Sequence, residues 1–268
     1  MTGTPLVIIT GASRGIGREI FDQALEDHGD AVVVLTSRRI EDLEKVKSAI
    51  ASSHHSATVH LFAQDLATWD DAAGQKFAEL LQKIVDGASI SGVLLFHNAG
   101  STGDLTKKAA ELSDLKDWQQ YLQANFLSLV SINNAVVRVV GNKSAKKTII
   151  NITSLVAIQA FPSFTQYACG KAVREAFFRS LAVEYPDWKI LNYSPGPVDT
   201  DMYHSVAKNS YDEETREEFK KKAECKDAAE SVLSRKMLTP KETVTRLFHI
   251  LKEDKFESGG RVDYFDKE

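Results

Sequence analysis

Residues 6–17 read LVIITGASRGIG, a short apolar run that leads directly into a glycine-rich loop. The run shows no polar alternation, which is typical of a strand covered on both faces in a parallel sheet. Gly11, Gly15 and Gly17 let the backbone turn tightly and approach a bound group closely. Helical periodicity follows, so the loop would open onto a helix N-terminus, which attracts phosphate. The stretch predicts a dinucleotide-binding unit. Its Gly-x-x-x-Gly-x-Gly spacing differs from the commonest fingerprint, and a plain glycine-rich turn is the alternative.

The same alternation of apolar runs and helix-period segments continues along the chain. Strands are predicted at residues 6–10, 31–36, 58–62, 92–97, 148–153, 190–193 and 261–265. Helices are predicted at residues 16–28, 40–52, 70–86, 115–140, 164–184 and 240–252. This alternation predicts an α/β fold, a Rossmann-type doubly wound parallel sheet with right-handed crossovers. No fixed repeat or low-complexity linker divides the chain, so residues 1–268 are interpreted as a single domain.

Composition limits the classes of protein to consider. The 268 residues are 43% hydrophobic and 26% charged, which argues against disorder, collagen and coiled coil. A net charge of -4 disfavours a general nucleic-acid binder. No apolar run approaches the ~20 residues of a membrane span, and the N-terminus lacks a signal-peptide pattern. Two cysteines cannot form a disulfide framework or a four-cysteine metal site. We therefore expect no metal, no membrane and a reducing, cytoplasmic location.

One stretch departs from this average composition. Residues 208–226 read KNSYDEETREEFKKKAECK and are dense in charge. They lie in an excursion at about 200–236 that follows a loop at a predicted strand end. The excursion is interpreted either as a solvated helical insertion or as a mobile cover over a bound substrate, and both can hold.

The ends of the second and third predicted strands indicate NADPH. An NAD enzyme usually places an acidic side chain there, on the ribose 2′-hydroxyl. This chain instead has Arg38 and Arg39, and Arg14 of the glycine loop can converge on the same point. Arginines suit a 2′-phosphate through charge and paired donors, although solvated surface charges are the alternative. After the third strand, Asp65 would accept from the adenine amino group, with Leu66 beside the ring.

Tyr167 and Lys171 are the candidate acid–base pair. They stand four residues apart in a predicted helix, so their side chains share one face. A free tyrosine has a pKa of about 10, too high for efficient proton transfer at neutral pH. An ammonium about 4 Å away contributes on the order of 4 kcal/mol at an effective dielectric near 20, which would lower that pKa by up to ~3 units. The pair needs further support, because Tyr-x-x-x-Lys is common by chance.

Residues at other predicted strand ends complete the candidate site. The carboxyl edge of an open α/β sheet is where ligands bind. Ser154 would hold a substrate carbonyl beside Tyr167, or would cap a turn. Asn98 closes the fourth strand, and Asn125 lies within a predicted helix although asparagine is a poor helix former. The PGPVDT turn at residues 195–200 would bring its backbone to the nicotinamide amide.

Together, these residues resemble the short-chain dehydrogenase/reductase family. The motifs TGASRGIG, HNAG, Asn125, Ser154, Tyr167-x-x-x-Lys171 and PGPVDT follow the family's order over nearly the whole chain. The resemblance implies hydride transfer between NAD(P) and a carbonyl. It implies that Tyr167 donates the proton, Ser154 orients the carbonyl, Lys171 lowers the tyrosine pKa and contacts the ribose, and Asn125 holds a relay water. The implied cofactor-binding residues are Gly11, Ser13, Arg14, Gly15, Ile16, Gly17, Arg38, Arg39, Asp65, Leu66, Asn98, Tyr167, Lys171, Val198, Thr200 and Met202.

Four longer segments are similar to the sepiapterin reductases within this family. They read HNAGSTGDLTKKAAELSD, NITSLVAIQAFPSFTQYACGKAVREAFF, LNYSPGPVDTDM and SGGRVDYFD. The similarity implies NADPH-dependent reduction of a side-chain ketone on a pterin, a step of tetrahydrobiopterin biosynthesis. It also implies that Asp263 anchors the amino-pyrimidine ring, since a carboxylate can accept two parallel N–H bonds. The substrate-binding set would be Ser154, Tyr167, Gly196 and Asp263. Without the resemblance, Asp263 would be a surface charge on a terminal strand.

Two rival functions and one assembly follow from the same residues. Related reductases act on diketones such as benzil, so a benzil-type carbonyl reductase is the main rival. A regulatory module that senses NADPH and binds a partner is a rival of another class, disfavoured by the intact tetrad. The family resemblance also implies a homodimer, with helices 115–140 and 164–184 at the interface. His97 stands where many relatives carry a second asparagine, and we expect it to end the strand.

Overall fold

The apolar runs form one parallel sheet in a computed structural model that describes residues 3–50, 56–141, 146–224 and 236–267. Its strands are β1 (Thr4–Thr10), β2 (Val32–Ser37), β3 (Thr58–Ala63), β4 (Ile90–His97), β5 (Lys146–Ile152), β6 (Trp188–Ser194) and β7 (Arg261–Asp263). Their order is β3-β2-β1-β4-β5-β6-β7, and every neighbouring pair is parallel. The predicted single-domain, Rossmann-type doubly wound sheet is confirmed.

Helices cover both faces of the sheet, which explains why central strands such as β1 and β2 carry apolar residues on both faces. The helices are α1 (Gly15–Asp27), α2 (Ile40–Ile50), α3 (Asp71–Gly87), α4 (Leu115–Leu122), α5 (Ser128–Val140), α6 (Thr165–Glu184), α7 (Asp201–Asn209), α8 (Glu213–Glu224) and α9 (Pro240–Glu253). In β1, Val7 and Ile9 pack in one core cluster with residues of α1 and α9. Leu6 and Ile8 point the other way, into a cluster with residues of α3, α5 and α6.

The predicted helix at 115–140 runs without a break but contains one widened turn. α4 and α5 are joined by a π-helix, Gln123–Leu127, which contains Asn125. The Asn125 side chain donates to the Tyr121 carbonyl at 2.8 Å and accepts from the Ser101 backbone N–H at 2.7 Å. In the widened π-turn, these two bonds give hydrogen-bond partners to backbone groups outside the regular helical pattern. The predicted helix is therefore confirmed, with a π-turn at Asn125 that the prediction did not include.

The charged excursion is helical where the structure describes it, in α7 and α8. Residues 225–235 of the predicted excursion, including Cys225, lie outside the described residues. α8 carries Phe219, which packs in a small apolar cluster with Phe164, Tyr167 and Val206. The Phe219 ring also stacks on Tyr203 of α7, with ring centres 4.5 Å apart. α7 and α8 therefore lie against the start of α6, beside the candidate catalytic tyrosine.

The described ranges contain neither a membrane-spanning helix nor a metal-binding cluster. None of their helices combines the length and the apolar character needed to cross a bilayer. None of their groups of three or more His, Cys, Asp or Glu side chains could hold a metal ion.

Candidate active site

The site lies at the carboxyl edge of the sheet between β1 and β4, where the strand order reverses and ligands of this fold class bind. The Thr10 hydroxyl ties the two strand ends together. It donates to the Phe96 carbonyl at 3.2 Å and accepts from the Asn98 N–H at 3.0 Å. The Asn98 side-chain amide in turn donates to the carbonyls of Thr10 and Gly11, at 3.0 and 3.1 Å. Asn98 thus braces the glycine loop from the neighbouring strand.

The glycine loop has the geometry that a phosphate cradle requires. Gly11 and Gly15 have positive φ angles of 68° and 56°, which side chains rarely adopt. A Cβ on Gly17 would lie 2.2 Å from the Gly11 carbonyl oxygen and 2.4 Å from the Asn98 amide nitrogen. Arg14 stands at the N-cap of α1 and makes no side-chain cap bond, so the first N–H groups of the helix can face an anion. Ser13 and Ile16, on either side, are half-buried.

A cleft of about 730 Å³ extends from this loop past the end of β2. It contains five basic and two acidic side chains, so its charge is complementary to a phosphate. The lining residues are Ser13, Arg14, Arg18, Ser37, Arg38, Arg39, Asp42, Lys45, Val46 and Asp65. The three predicted arginines are therefore together. Arg39 is ion-paired with Asp42 at 2.7 Å, and Arg14 is ion-paired with Asp201 of α7.

Arg18 and Lys45 are cleft residues that the sequence analysis missed. Both are helical and belong to no motif. The available signal was position, since Arg18 is one turn after Arg14 and Lys45 follows Arg38 into the next helix. Together with the narrow glycine cradle, these cations fit a dinucleotide cofactor.

Asp65 and Leu66 occupy the end of β3. Asp65 is exposed in the cleft, where one carboxylate oxygen accepts from the Ala67 N–H at 3.0 Å and caps a short 3-10 helix. Leu66 is half-buried and packs against the core cluster that includes α3. The other face of Asp65 is where the predicted adenine contact would form, and both cofactor roles stay predictions.

Ser154, Tyr167 and Lys171 meet at the end of β5. Ser154 caps a 3-10 helix, Leu155–Ala157, through a long 3.4 Å bond, and it also bonds to the Tyr167 hydroxyl. Lys171 is buried, and its Nζ donates to the Ile152 carbonyl at 2.6 Å. The same Nζ lies 5.4 Å from the centre of the Tyr167 ring. The spacing of four residues therefore does place both side chains on one face of α6, beside Ser154.

The pKa of Tyr167 differs from the expectation drawn from spacing. Burial raises this pKa above its usual value, while the bond from Ser154 and the charge of Arg174 lower it by smaller amounts. Burial, and then Arg174, hold the pKa of Lys171 well below its usual range. The Lys171 ammonium is therefore not the main influence on the pKa of Tyr167. The low-dielectric surroundings penalise the charged forms of both groups.

Asn125, Lys171 and Arg174 converge on one point above Gly100. A Cβ built on Gly100 would lie 3.5 Å from Asn125 Oδ1, 3.6 Å from Arg174 Nη1 and 3.8 Å from Lys171 Nζ. The structure therefore places Asn125 beside Lys171, where the family resemblance implies that it should lie. The small polar space they share is suited to the proposed relay water.

The PGPVDT turn packs against the C-terminal segment. Gly196 has a φ of 74°, and a Cβ there would lie 2.9 Å from the Phe265 ring. Val198 is buried and forms an isolated bridge with Leu238. The turn is therefore held from two sides at the same edge of the sheet as Ser154.

Thr200 and Met202 follow this turn into α7. Thr200 is the N-cap of α7, accepting from the Tyr203 N–H at 3.4 Å. Its methyl carbon lies 3.3 Å from where a Cβ on Gly15 would stand. Met202 is half-buried. Thr200 thus joins the glycine loop to the covering helices.

Asp263 is not a surface charge. It ends β7, paired in register with Ser194 of β6, and it is only 7% exposed. One carboxylate oxygen accepts from the Ser194 hydroxyl at 2.7 Å, and the other accepts from the Phe265 N–H at 3.1 Å. The alternative raised by the sequence was wrong because β7 is a strand of the main sheet and its end is covered by the chain that follows.

A buried polar network beneath α6 was missed by the sequence analysis. Glu175 accepts from the Thr153 hydroxyl at 2.6 Å and is ion-paired with Arg261 of β7. Arg174 is 1% exposed. The available signal was helical spacing, because residues three and four after Lys171 lie on its face and both are charged.

Comparisons with known proteins agree with this geometry. Residues 5–210 match the profile of the short chain dehydrogenase family. Sepiapterin reductase of Rattus norvegicus is 30% identical over 273 residues, covering 98% of this chain and 97% of the relative. Benzil reductase ((S)-benzoin forming) of Bacillus subtilis is 32% identical over 209 residues, covering 76% and 79%. A solved short chain dehydrogenase/reductase of Saccharomyces cerevisiae superposes with a TM-score of 0.79 at 22% identity, covering 98% and 96%. The chain therefore belongs to the short-chain dehydrogenase family and is an oxidoreductase that uses a nicotinamide cofactor.

Proposed function

We propose that the protein uses NADPH to reduce a side-chain ketone of a pterin. The observation that carries the proposal is Asp263, a buried carboxylate at the carboxyl edge of the sheet. It lies at the same edge as Ser154 and beside the turn that carries Gly196, against which Phe265 packs. The near full-length similarity to sepiapterin reductases supports the same substrate class.

The preference for NADPH rests on the charge of the cleft. No acidic residue stands at the end of β2, where Ser37 is followed by Arg38 and Arg39. Arg14, Arg18 and three other basic side chains line the cleft. An additional phosphate on the ribose would gain charge-assisted bonds there that a neutral 2′-hydroxyl could not make.

The catalytic residues act on the carbonyl oxygen of the substrate. When bound, NADPH supplies the hydride. Tyr167, whose raised pKa keeps it protonated at neutral pH, donates its proton to the oxygen as negative charge develops. Ser154 donates a hydrogen bond to the same oxygen and so stabilises that charge. Lys171 and Asn125 border the small polar space through which a proton can return to Tyr167.

Asp263 has the chemistry that an amino-pyrimidine ring requires. Its carboxylate accepts from the Ser194 hydroxyl and the Phe265 N–H, one on each oxygen, and one oxygen lies 4.0 Å from a guanidinium nitrogen of Arg261. A carboxylate can accept two parallel N–H bonds from the guanidine-like edge of such a ring. This anchor would orient the far end of the ring without touching the reacting carbonyl.

A benzil-type diketone is the second candidate substrate. The relative from Bacillus subtilis supports it, as does the aromatic cluster that includes Tyr167. Phe164 lies 6.1 Å from the Tyr167 ring and 6.0 Å from the Phe219 ring, measured between centres. An aromatic diketone could pack against this cluster without an ionic anchor.

The two candidates are separated by initial rates of NADPH consumption with sepiapterin and with benzil. We expect Asp263→Asn to lower kcat/KM for sepiapterin by about 10- to 100-fold, the worth of one charged hydrogen bond, and to change the benzil rate by less than about threefold. Glu257→Gln, which removes an exposed carboxylate nearby, is the matched control. Equal losses on both substrates would overturn the anchoring role. A wild-type rate with benzil alone would favour the diketone.

The proposal also covers the oligomeric state and the cellular location of the protein. Exposed apolar side chains lie on the helices implied in dimerisation, with Leu115 73%, Leu127 50% and Val183 83% exposed. We expect a homodimer, which light scattering on the eluting protein would measure. A cytoplasmic location also stays a prediction.

A further inference from the structure

Arg174 is a buried cation directly behind the catalytic pair. It lies seven residues after Tyr167 and three after Lys171, on the same face of α6. It is 1% exposed, as deeply buried as the core side chains around it. Neither the cofactor cleft nor the Asp263 anchor includes it.

Every hydrogen-bond acceptor of Arg174 is a neutral group. Nε donates to the Asn151 side chain at 2.8 Å, Nη1 to the Ala99 carbonyl at 3.0 Å, and Nη2 to the His97 carbonyl at 2.5 Å. No ion pair in the described part of the chain includes Arg174, because the adjacent Glu175 bonds to other groups. Burying a charge without a carboxylate partner costs free energy, so the filling of space alone does not explain a cation at this position.

The three acceptors place the guanidinium at the ends of β4 and β5. It therefore holds the two strand ends that carry the HNAG and Ser154 loops. Its Nη1 also reaches the point above Gly100 where Asn125 and Lys171 converge. The positive charge of the guanidinium therefore lies close to the groups through which Tyr167 would lose and regain its proton.

The charge of Arg174 is more permanent than that of Lys171. Burial lowers the pKa of Arg174 to about 10, so it remains protonated at neutral pH. The pKa of Lys171 is held well below its usual range, first by burial and then by Arg174. Arg174 also lowers the pKa of Tyr167, against the larger effect of burial. The charged or titratable groups that face Arg174 are Lys171, Glu175 and Tyr167 on its own helix, Tyr121 of α4 and His97 of β4.

We propose that Arg174 is a positioning residue of the reaction, one that holds the ends of β4 and β5 together and keeps a permanent positive charge behind Tyr167 and Lys171, so that Tyr167 gives up its proton more readily. This inference rests on the proposed role of Tyr167 as the proton donor.

The test compares Arg174→Met, which removes the charge at similar volume, with Arg174→Lys, which keeps the charge. Arg179→Met, an exposed cation on the same helix, is the matched control. At a separation of roughly two helical turns and an effective dielectric near 20, removing the charge should raise the Tyr167 pKa by about one unit. We therefore expect the alkaline limb of kcat for ketone reduction to move up by about one pH unit. Arg174→Lys should restore most of that position, and the dissociation constant of NADPH should change by less than about threefold.

A second readout needs no substrate. Phenolate absorbance is titrated in the NADP⁺-bound protein, and the Tyr167→Phe titration is subtracted to isolate Tyr167. The same upward shift of about one unit is expected for Arg174→Met. If the ketone reductase assignment fails, this titration still tests Arg174, whereas unchanged activity in Tyr167→Phe would contradict the proposed function itself.

Three results would overturn the proposal. One is a loss of thermal stability in Arg174→Met with both pH curves unmoved, which would make the role structural only. Another is an equal shift in Arg179→Met. Should Arg174→Met not fold, Arg174→Gln is the second neutral variant. Failure of both neutral variants, while Arg174→Lys folds with normal activity, would likewise assign Arg174 to the scaffold alone.

Discussion

A buried histidine at the end of β4 makes the stability of the protein sensitive to acid. His97 is 2% exposed, and its ring centre lies 5.4 Å from that of Phe178. Its Nε2 finds no hydrogen-bond partner among the described residues. Burial, and then the charge of Arg174, lower the pKa of His97 from 6.5 to about 3, while the Asn133 side chain opposes them by a smaller amount. The folded protein therefore keeps His97 neutral at pH values where the unfolded chain binds a proton.

The sign and size of the effect follow from proton linkage. Because the folded pKa is depressed, the stability is fully present above the unfolded pKa of 6.5 and is lost as the pH falls toward 3. The full difference between the unfolded and folded pKa values corresponds to about 5 kcal/mol of stability, at about 1.36 kcal/mol per pKa unit. Between pH 7 and pH 5, proton binding to His97 in the unfolded chain should lower the free energy of unfolding by about 2 kcal/mol.

Urea denaturation at pH 7 and pH 5 measures this directly, followed by tryptophan fluorescence. His97→Asn removes the titrating group at the same strand end, so its loss between the two pH values should be smaller than that of the wild type by about 2 kcal/mol. His249→Asn, which removes an exposed histidine on α9, is the control and should keep the wild-type dependence. Parallel behaviour of the wild type and His97→Asn would refute the reasoning.

Two further predictions concern the cofactor. Arg38→Ala removes one cation of the cleft, so the dissociation constant of NADPH should rise by about 10-fold and that of NADH by less than about twofold. Fluorescence titration measures both constants. Equal changes for the two nucleotides would argue against a contact between Arg38 and the 2′-phosphate. Gly17→Ala would place a Cβ 2.2 Å from the Gly11 carbonyl oxygen, so the loop must shift. We expect nucleotide affinity to fall more than 10-fold for both NADPH and NADH, whereas retention of wild-type affinity would show that the loop tolerates the shift.

Much of the fold could be predicted because its signals are local. Apolar runs such as that of β1 report burial on both faces, and the glycine loop reports a tight turn wherever it occurs. The position of Tyr167 one helical turn from Lys171 is likewise a property of helix geometry alone. The π-turn at Asn125 was not predicted because it depends on a bond to Ser101, which is distant in sequence.

The amino-acid sequence by itself determined the parallel sheet, the glycine loop and the choice of candidate catalytic residues, since these depend on periodicity and short motifs. Only the tertiary structure decided the environment of those residues. Whether Asp263 is a surface charge or a buried carboxylate depends on Ser194 and Phe265. The pKa of Tyr167 depends on how deeply α6 is buried and on Arg174, which distant strand ends hold in place. Burial and charge pairing are set by contacts between elements far apart in the chain, and no local pattern encodes them.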